Sequence, residues 1–118
     1  MTLLLALTSG GLFAAGWYLM MRPSAVKLVL GVALVSHAAN LAVFAAAGAG
    51  RQPPPLLASE GVAALAGSLP VADPVPQALV LTAIVIGFGV LAFTLVLVHR
   101  AYQTVGSDDL EEMESADR

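Results

Sequence analysis

Three long apolar runs, separated by short polar punctuation, set the architecture of this chain. Met1 to Met21 carries no charged side chain and ends at Arg22; Leu28 to Gly50 is charge-free after Lys27; Pro74 to Val98 is charge-free up to His99 and Arg100. A hydrocarbon core of about 30 Å is crossed by roughly 20 helical residues, each rising about 1.5 Å. All three runs are long enough, so the pattern predicts transmembrane helices over about residues 3–21, 28–48 and 76–98. The predicted fold class is an all-α membrane protein with a three-helix domain over residues 1–105, and the acidic residues 106–118 are expected to form a disordered cytoplasmic tail.

The segment between the first two runs, RPSAVK, is six residues long and forces an antiparallel hairpin, with Pro23 where the first helix should stop. Arg22, Lys27 and Arg100 then share one side, and Arg51 stands alone on the other. The excess of Lys and Arg marks the cytoplasmic side, which predicts an outside N-terminus and a cytoplasmic C-terminus. Trp17, Tyr18 and Tyr102 fall near helix ends at the inner headgroup level, where amphipathic rings act as anchors. A cleaved secretory signal is the weaker reading of the first run, because no Lys or Arg precedes it and it exceeds the usual apolar core of such signals.

The outer loop, residues 49–75, opens with RQPPPLL, whose prolines favour an extended backbone. Its middle, LLASEGVAALAGSL, is too short to span and carries Glu60, so it is expected to lie in the interface or against a partner. The third helix is expected to start at Asp73, Pro74, Pro76 and Gln77. The aspartate suits an N-cap, and prolines fit the first turn, where N–H groups lack intrahelical acceptors.

Composition agrees with this pattern and removes several functions. Of 118 residues 58% are hydrophobic and 11% charged, with a mean hydropathy of +0.88, which leaves too little polar surface for a soluble domain of this size. Six of the eight acids lie between Asp108 and Asp117, so the net charge of −3 describes the tail; residues 1–100 are slightly basic. There is no basic stripe with interleaved aromatics to bind nucleic acid. Cysteine is absent, which removes disulfides and thiolate metal sites. The sequence also lacks nucleophile-elbow, HExxH, P-loop and dinucleotide motifs, so no catalytic residues, metal site or cofactor are expected.

The few polar residues inside the spans are the candidate functional groups. Ser36, His37 and Asn40 lie three or four residues apart, on one helix face. Thr82 in the third helix, and Thr8 and Ser9 in the first, fall at about the same depth, slightly outside the midplane, from a rise of about 1.5 Å per residue. One reading makes these groups interhelical glue, worth on the order of 0.6 kcal/mol per hydrogen bond in membranes. The other places His37 in a hydrated proton path, since imidazole titrates near neutral pH. Glue is the stronger reading, because no acid within the spans stands ready to partner His37. Gly10, Gly11, Ala14, Ala15 and Gly16 in the first helix, with Gly87 and Gly89 in the third, permit close backbone approach. Three thin helices cannot enclose a pathway, so contacts with other subunits are expected.

The stretches GWYLMMRPSAVKLVLG (16–31), GVALVSHAANL (31–41) and ADPVPQALVLTAIVIGF (72–88) carry a resemblance. They resemble the C subunits of Mrp-type multisubunit cation/proton antiporters, themselves similar to the K subunit of respiratory complex I; the resemblance covers roughly residues 10–105. It implies three transmembrane helices, an outside N-terminus and residence in the cytoplasmic membrane as a multi-pass protein. It also implies exchange of Na+ or another monovalent cation for H+ by an assembly with subunits of the A, B, D, E, F and G types. The K subunit has glutamates in its second and third spans for proton transfer. Here the helix-two position is Ala33 and the third span has no acid, so that relay does not transfer to this chain.

The alternative is a K-type subunit of a proton-pumping NADH dehydrogenase or related hydrogenase complex, which should retain those glutamates. A small multidrug exporter needs four spans and an intramembrane acid. This chain has three spans and no such acid, and a regulatory microprotein or assembly factor ranks third, after the antiporter subunit and the K-type subunit.

Overall fold

The computed structural model describes residues 1–48, 50, 52, 72–116 and 118. Four helices follow one another: α1 (Thr2–Met20), α2 (Ala25–Ala46), α3 (Pro74–Val105) and α4 (Leu110–Ala116). The first three are each long and apolar enough to cross a membrane. The interfacial segment expected between residues 53 and 71, and the placement of Arg51, lie outside the described residues.

α1 and α2 form an antiparallel hairpin joined through Met21 to Ser24, a tighter link than the six-residue one expected. α2 starts at Ala25, ahead of the predicted Leu28, because Ser24 is extended (φ −115°, ψ 125°) and its hydroxyl accepts a hydrogen bond from the Lys27 N–H at 3.4 Å. Beyond the end of α2, Gly48 takes φ 91°, a left-handed conformation that glycine adopts without steric cost.

The hairpin seam has a register of seven. Gly16 of α1 lies against Gly31 of α2; seven residues back along α1 and seven forward along α2, the Ser9 hydroxyl donates to the Ala38 carbonyl at 2.8 Å. An added Cβ on Gly16 would stand 2.8 Å from the Gly31 carbonyl oxygen, and one on Gly31 would stand 2.7 Å from the Gly16 carbonyl oxygen. The two backbones therefore touch, a contact open only to glycine. Ala38, whose carbonyl takes the Ser9 hydroxyl, is buried at this seam, and Ala25 and Val29 are the other buried apolar residues of α2. The small residues of the first helix do not act as one stripe: nothing lies within 4 Å of a Cβ placed on Gly10 or Gly11, and Gly89 in α3 is equally open.

α3 begins at Pro74, with the Asp73 carboxylate accepting from the Val75 N–H at 3.0 Å. It continues to Val105, seven residues past the predicted end, because nothing breaks it until Gly106, at φ 81°, offers a left-handed cap. With 32 residues α3 is about 48 Å long, so it outreaches a hydrocarbon core of about 30 Å. The half-buried positions Val80, Ala83, Gly87, Leu91, Thr94 and Val98 recur every three or four residues and define the face that meets the hairpin. No residue of α3 is fully buried, and Phe88 is 75% exposed. So wide an apolar surface belongs against lipid or other subunits.

The acidic end differs from the disordered tail expected of residues 106–118. After Gly106 the chain turns back onto the hairpin link: the Asp108 carbonyl accepts from the Ala25 N–H at 2.8 Å, and the Pro23 carbonyl from the Leu110 N–H at 3.0 Å. The short helix α4 follows, with the Asp109 carboxylate accepting from the Glu111 N–H at 3.0 Å. Composition alone marked this segment as solvated; its backbone instead finds partners on the link.

Candidate functional site

A groove of about 370 Å³ runs between α2 and α3. Leu28, Val29, Val32, Ala33, Ser36, His37 and Asn40 line one side; the facing residues run from Ala83 and Gly87 to Leu91 and Thr94. The two helices are antiparallel, so Asn40 and Ala83 stand at one end and Leu28 and Thr94 at the end nearer the hairpin link. Most of the wall is hydrocarbon, with one polar rung of Ser36, His37 and Asn40 in the half farther from the link.

Helix periodicity places that rung. Positions 36 and 40 share a face at a spacing of four and 37 lies beside them, while Ala38 turns into the seam with α1. A Cβ on Gly87 would stand 3.9 Å from the Ser36 Oγ, so glycine at 87 lets α3 come near the rung without filling the groove. His37 and Ser36 are exposed in the isolated chain. Among the described residues neither they nor Asn40 has a side-chain hydrogen bond partner on another helix, which leaves their donors and acceptors for water or a neighbouring protein.

Thr82 is not part of the rung. It is exposed, one position off the face that carries Ala83 and Gly87, and its hydroxyl bonds back to the Ala78 carbonyl at 2.9 Å. Thr8 likewise bonds to the Leu4 carbonyl at 2.8 Å. Equal depth was the basis for grouping these threonines with His37, but depth says nothing about azimuth around the helix. Thr94, which the depth argument passed over, does line the groove, and its hydroxyl donates to the Val90 carbonyl at 2.7 Å. The signal available for it was its spacing of seven from Gly87.

The charges collect at the link end. Contact between Ser24 and Asp108 brings the link and the end of α3 together, so Arg22, Lys27 and Arg100 occupy one end of the bundle. Arg22 lies over the Tyr18 ring, 4.8 Å from its centroid, and also donates to the Tyr18 hydroxyl. Gln103 Nε2 lies 3.1 Å from His99 Nε2. No three His, Cys, Asp or Glu side chains come together as a metal cluster among the described residues.

Three spanning helices, a seam closed by glycines and a groove left open define the class: a small integral-membrane protein whose surfaces call for partners. Residues 4–118 match the family described as NADH-ubiquinone/plastoquinone oxidoreductase chain 4L. The sequence is 44% identical to the C subunit of the Na(+)/H(+) antiporter of Alkalihalophilus pseudofirmus, over 96% of this chain and 95% of that one. It is 43% identical to the C subunit of the probable K(+)/H(+) antiporter of Rhizobium meliloti, over 97% and 96% of the two chains. One polypeptide in the structure of the Mrp complex from Dietzia sp. superposes with a TM-score of 0.67 at 39% identity, covering 89% of this chain and 73% of the other. The protein belongs to the chain 4L family, among the C subunits of cation/proton antiporters.

Proposed function

We propose that this protein is a small integral-membrane component of a multisubunit antiporter that exchanges a monovalent cation, Na+ or K+, for H+. The full-length likeness to antiporter C subunits carries the proposal. Its task is to pack between the ion-translocating subunits and support them. The polar rung Ser36, His37 and Asn40 supplies hydrogen bonds to a neighbouring helix or to ordered water in the groove. Thr82, turned away from the groove, serves α3 through its own backbone. The alternative, a K-type subunit of a proton-pumping dehydrogenase, has the family description in its favour. Against it stand Ala33 and the lack of any acid within α2 or α3, which leave no carboxylate to relay a proton.

Orientation follows from the charges. Arg22, Lys27 and Arg100 at the link end face the cytoplasm, with the N-terminus outside and α4 inside the cell. Neighbours of the A, B, D, E, F and G types complete the assembly in the cytoplasmic membrane.

The test is purification of the tagged chain from native membranes. Other antiporter subunits should co-purify, everted vesicles should show Na+- or K+-dependent proton release that disappears when the gene is deleted, and tags at the two ends should report opposite compartments. Co-purification with dehydrogenase subunits and an unchanged antiport rate in the deletion strain would overturn the proposal.

A further inference from the structure

Ser24 and Asp109 form an isolated antiparallel bridge, 85 positions apart in the chain, between the hairpin link and the segment after α3. The Ala25 N–H to Asp108 carbonyl and Leu110 N–H to Pro23 carbonyl hydrogen bonds flank it on both sides. In addition the Ser24 hydroxyl donates to the Asp108 carboxylate at 2.6 Å. These contacts cap α2 from a distance. The first turn of α2 contains no acid and carries Lys27 instead, so its unpaired N–H groups and positive dipole end lack a local negative partner. The tail supplies both: the Asp108 carbonyl takes the Ala25 N–H, and its carboxylate sits on the Ser24 hydroxyl that accepts from Lys27.

α3 needs such a fixture. It buries no residue fully against the hairpin, only half-burying the face from Val80 to Val98, and an open groove runs along its contact with α2 from Leu28 to Asn40. Leu28 lies three residues, about 4.5 Å of helix rise, beyond Ala25, so the bridge stands at the link end of the groove. We propose that residues 106–110 are a strap that locks the end of α3 onto the α1–α2 hairpin and so fixes the width of the groove, with Asp108 as its positioning residue. Gly106, at φ 81°, makes the reversal that brings the strap back to the link.

The experiment uses cysteine pairs in the assembled complex. The two bonds that flank Ser24 and Asp109 make them a non-hydrogen-bonded pair, with Cα atoms about 4.5 Å apart, inside the range of about 4.4–6.8 Å for a disulfide. The chain has no cysteine of its own, so the S24C/D109C pair has no competitor within it. Mild oxidation of membranes should form the intrachain disulfide, read by peptide mass, and leave antiport within about twofold. D108A/L110P, which removes the carboxylate and the Leu110 N–H, should lower antiport per assembled complex at least fivefold. Adding S24C/D109C to that variant should restore the rate under oxidation and lose it again on reduction. The strap is overturned by failure of the disulfide to form, by a normal rate in D108A/L110P, or by silencing of antiport when S24C/D109C is oxidised. The antiport readout rests on the function proposed above, whereas the disulfide does not; if wild-type vesicles lack antiport, that function fails and the cross-link still tests the strap.

Discussion

Gly31→Ala is expected to lower the amount of folded chain in the membrane about tenfold, and Gly16→Ala to do nearly the same. Two opposing terms decide the sign. Alanine is favoured over glycine inside a helix by about 1 kcal/mol. Against this, a Cβ at Gly31 meets the Gly16 carbonyl oxygen at 2.7 Å and the Met20 backbone nitrogen at 3.0 Å, and backbone cannot move aside as a flexible side chain can. Overpacking of this kind costs about 1–3 kcal/mol. Rigid contacts on both sides put the cost at the upper end, so the net loss is about 1–2 kcal/mol, where 1.4 kcal/mol is a factor of ten. Gly10→Ala and Gly11→Ala meet nothing within 4 Å and should be neutral or slightly stabilising. Thermal unfolding in detergent, with membrane abundance as a second readout, checks all four variants. Equal loss at Gly10 and Gly31 would refute the hairpin register.

His37→Ala is expected to reduce assembled complex and antiport together, by threefold or more, with the rate per assembled complex and its pH profile unchanged. One interhelical hydrogen bond is worth about 0.6 kcal/mol in membranes, close to threefold. The imidazole also fills space beside Ser36 and Asn40, and its loss leaves a gap against the neighbour. Native gels give the assembly and everted vesicles give the rate. A proton carrier behaves differently: assembly stays intact while the rate per complex falls and its pH profile shifts. That outcome would move His37 from packing to the ion pathway.

The helices were legible in the sequence because long charge-free runs have one stable arrangement in a bilayer, in which every backbone polar group is bonded within its own segment. The start of α3 was equally legible, since Asp73 followed by Pro74 states both the cap and the first turn. The polar rung on α2 followed from the spacing of Ser36, His37 and Asn40. Its partner on α3 did not: Thr82 matched in depth, but azimuth places Gly87 and Thr94 in the groove instead. Gly31 was hidden for a related reason. A glycine contact depends on two backbones meeting, and only the pairing of Gly16 with Gly31 and of Ser9 with Ala38 reveals that register. The strap was illegible because its bonds run from backbone to backbone, and the acidic composition of residues 108–117 carries no sign of them.

Whether the α2 rung faces a neighbouring protein can be measured directly with a photo-activatable amino acid at Asn40, in the groove, and at Phe93, on the broad exposed face of α3. Illumination of native membranes should join the Asn40 probe to a second antiporter subunit, identified by mass spectrometry, in a product absent when the partner genes are deleted. A probe at Asn40 that captures only lipid, in membranes where the complex is intact, would contradict the packing role proposed for this protein.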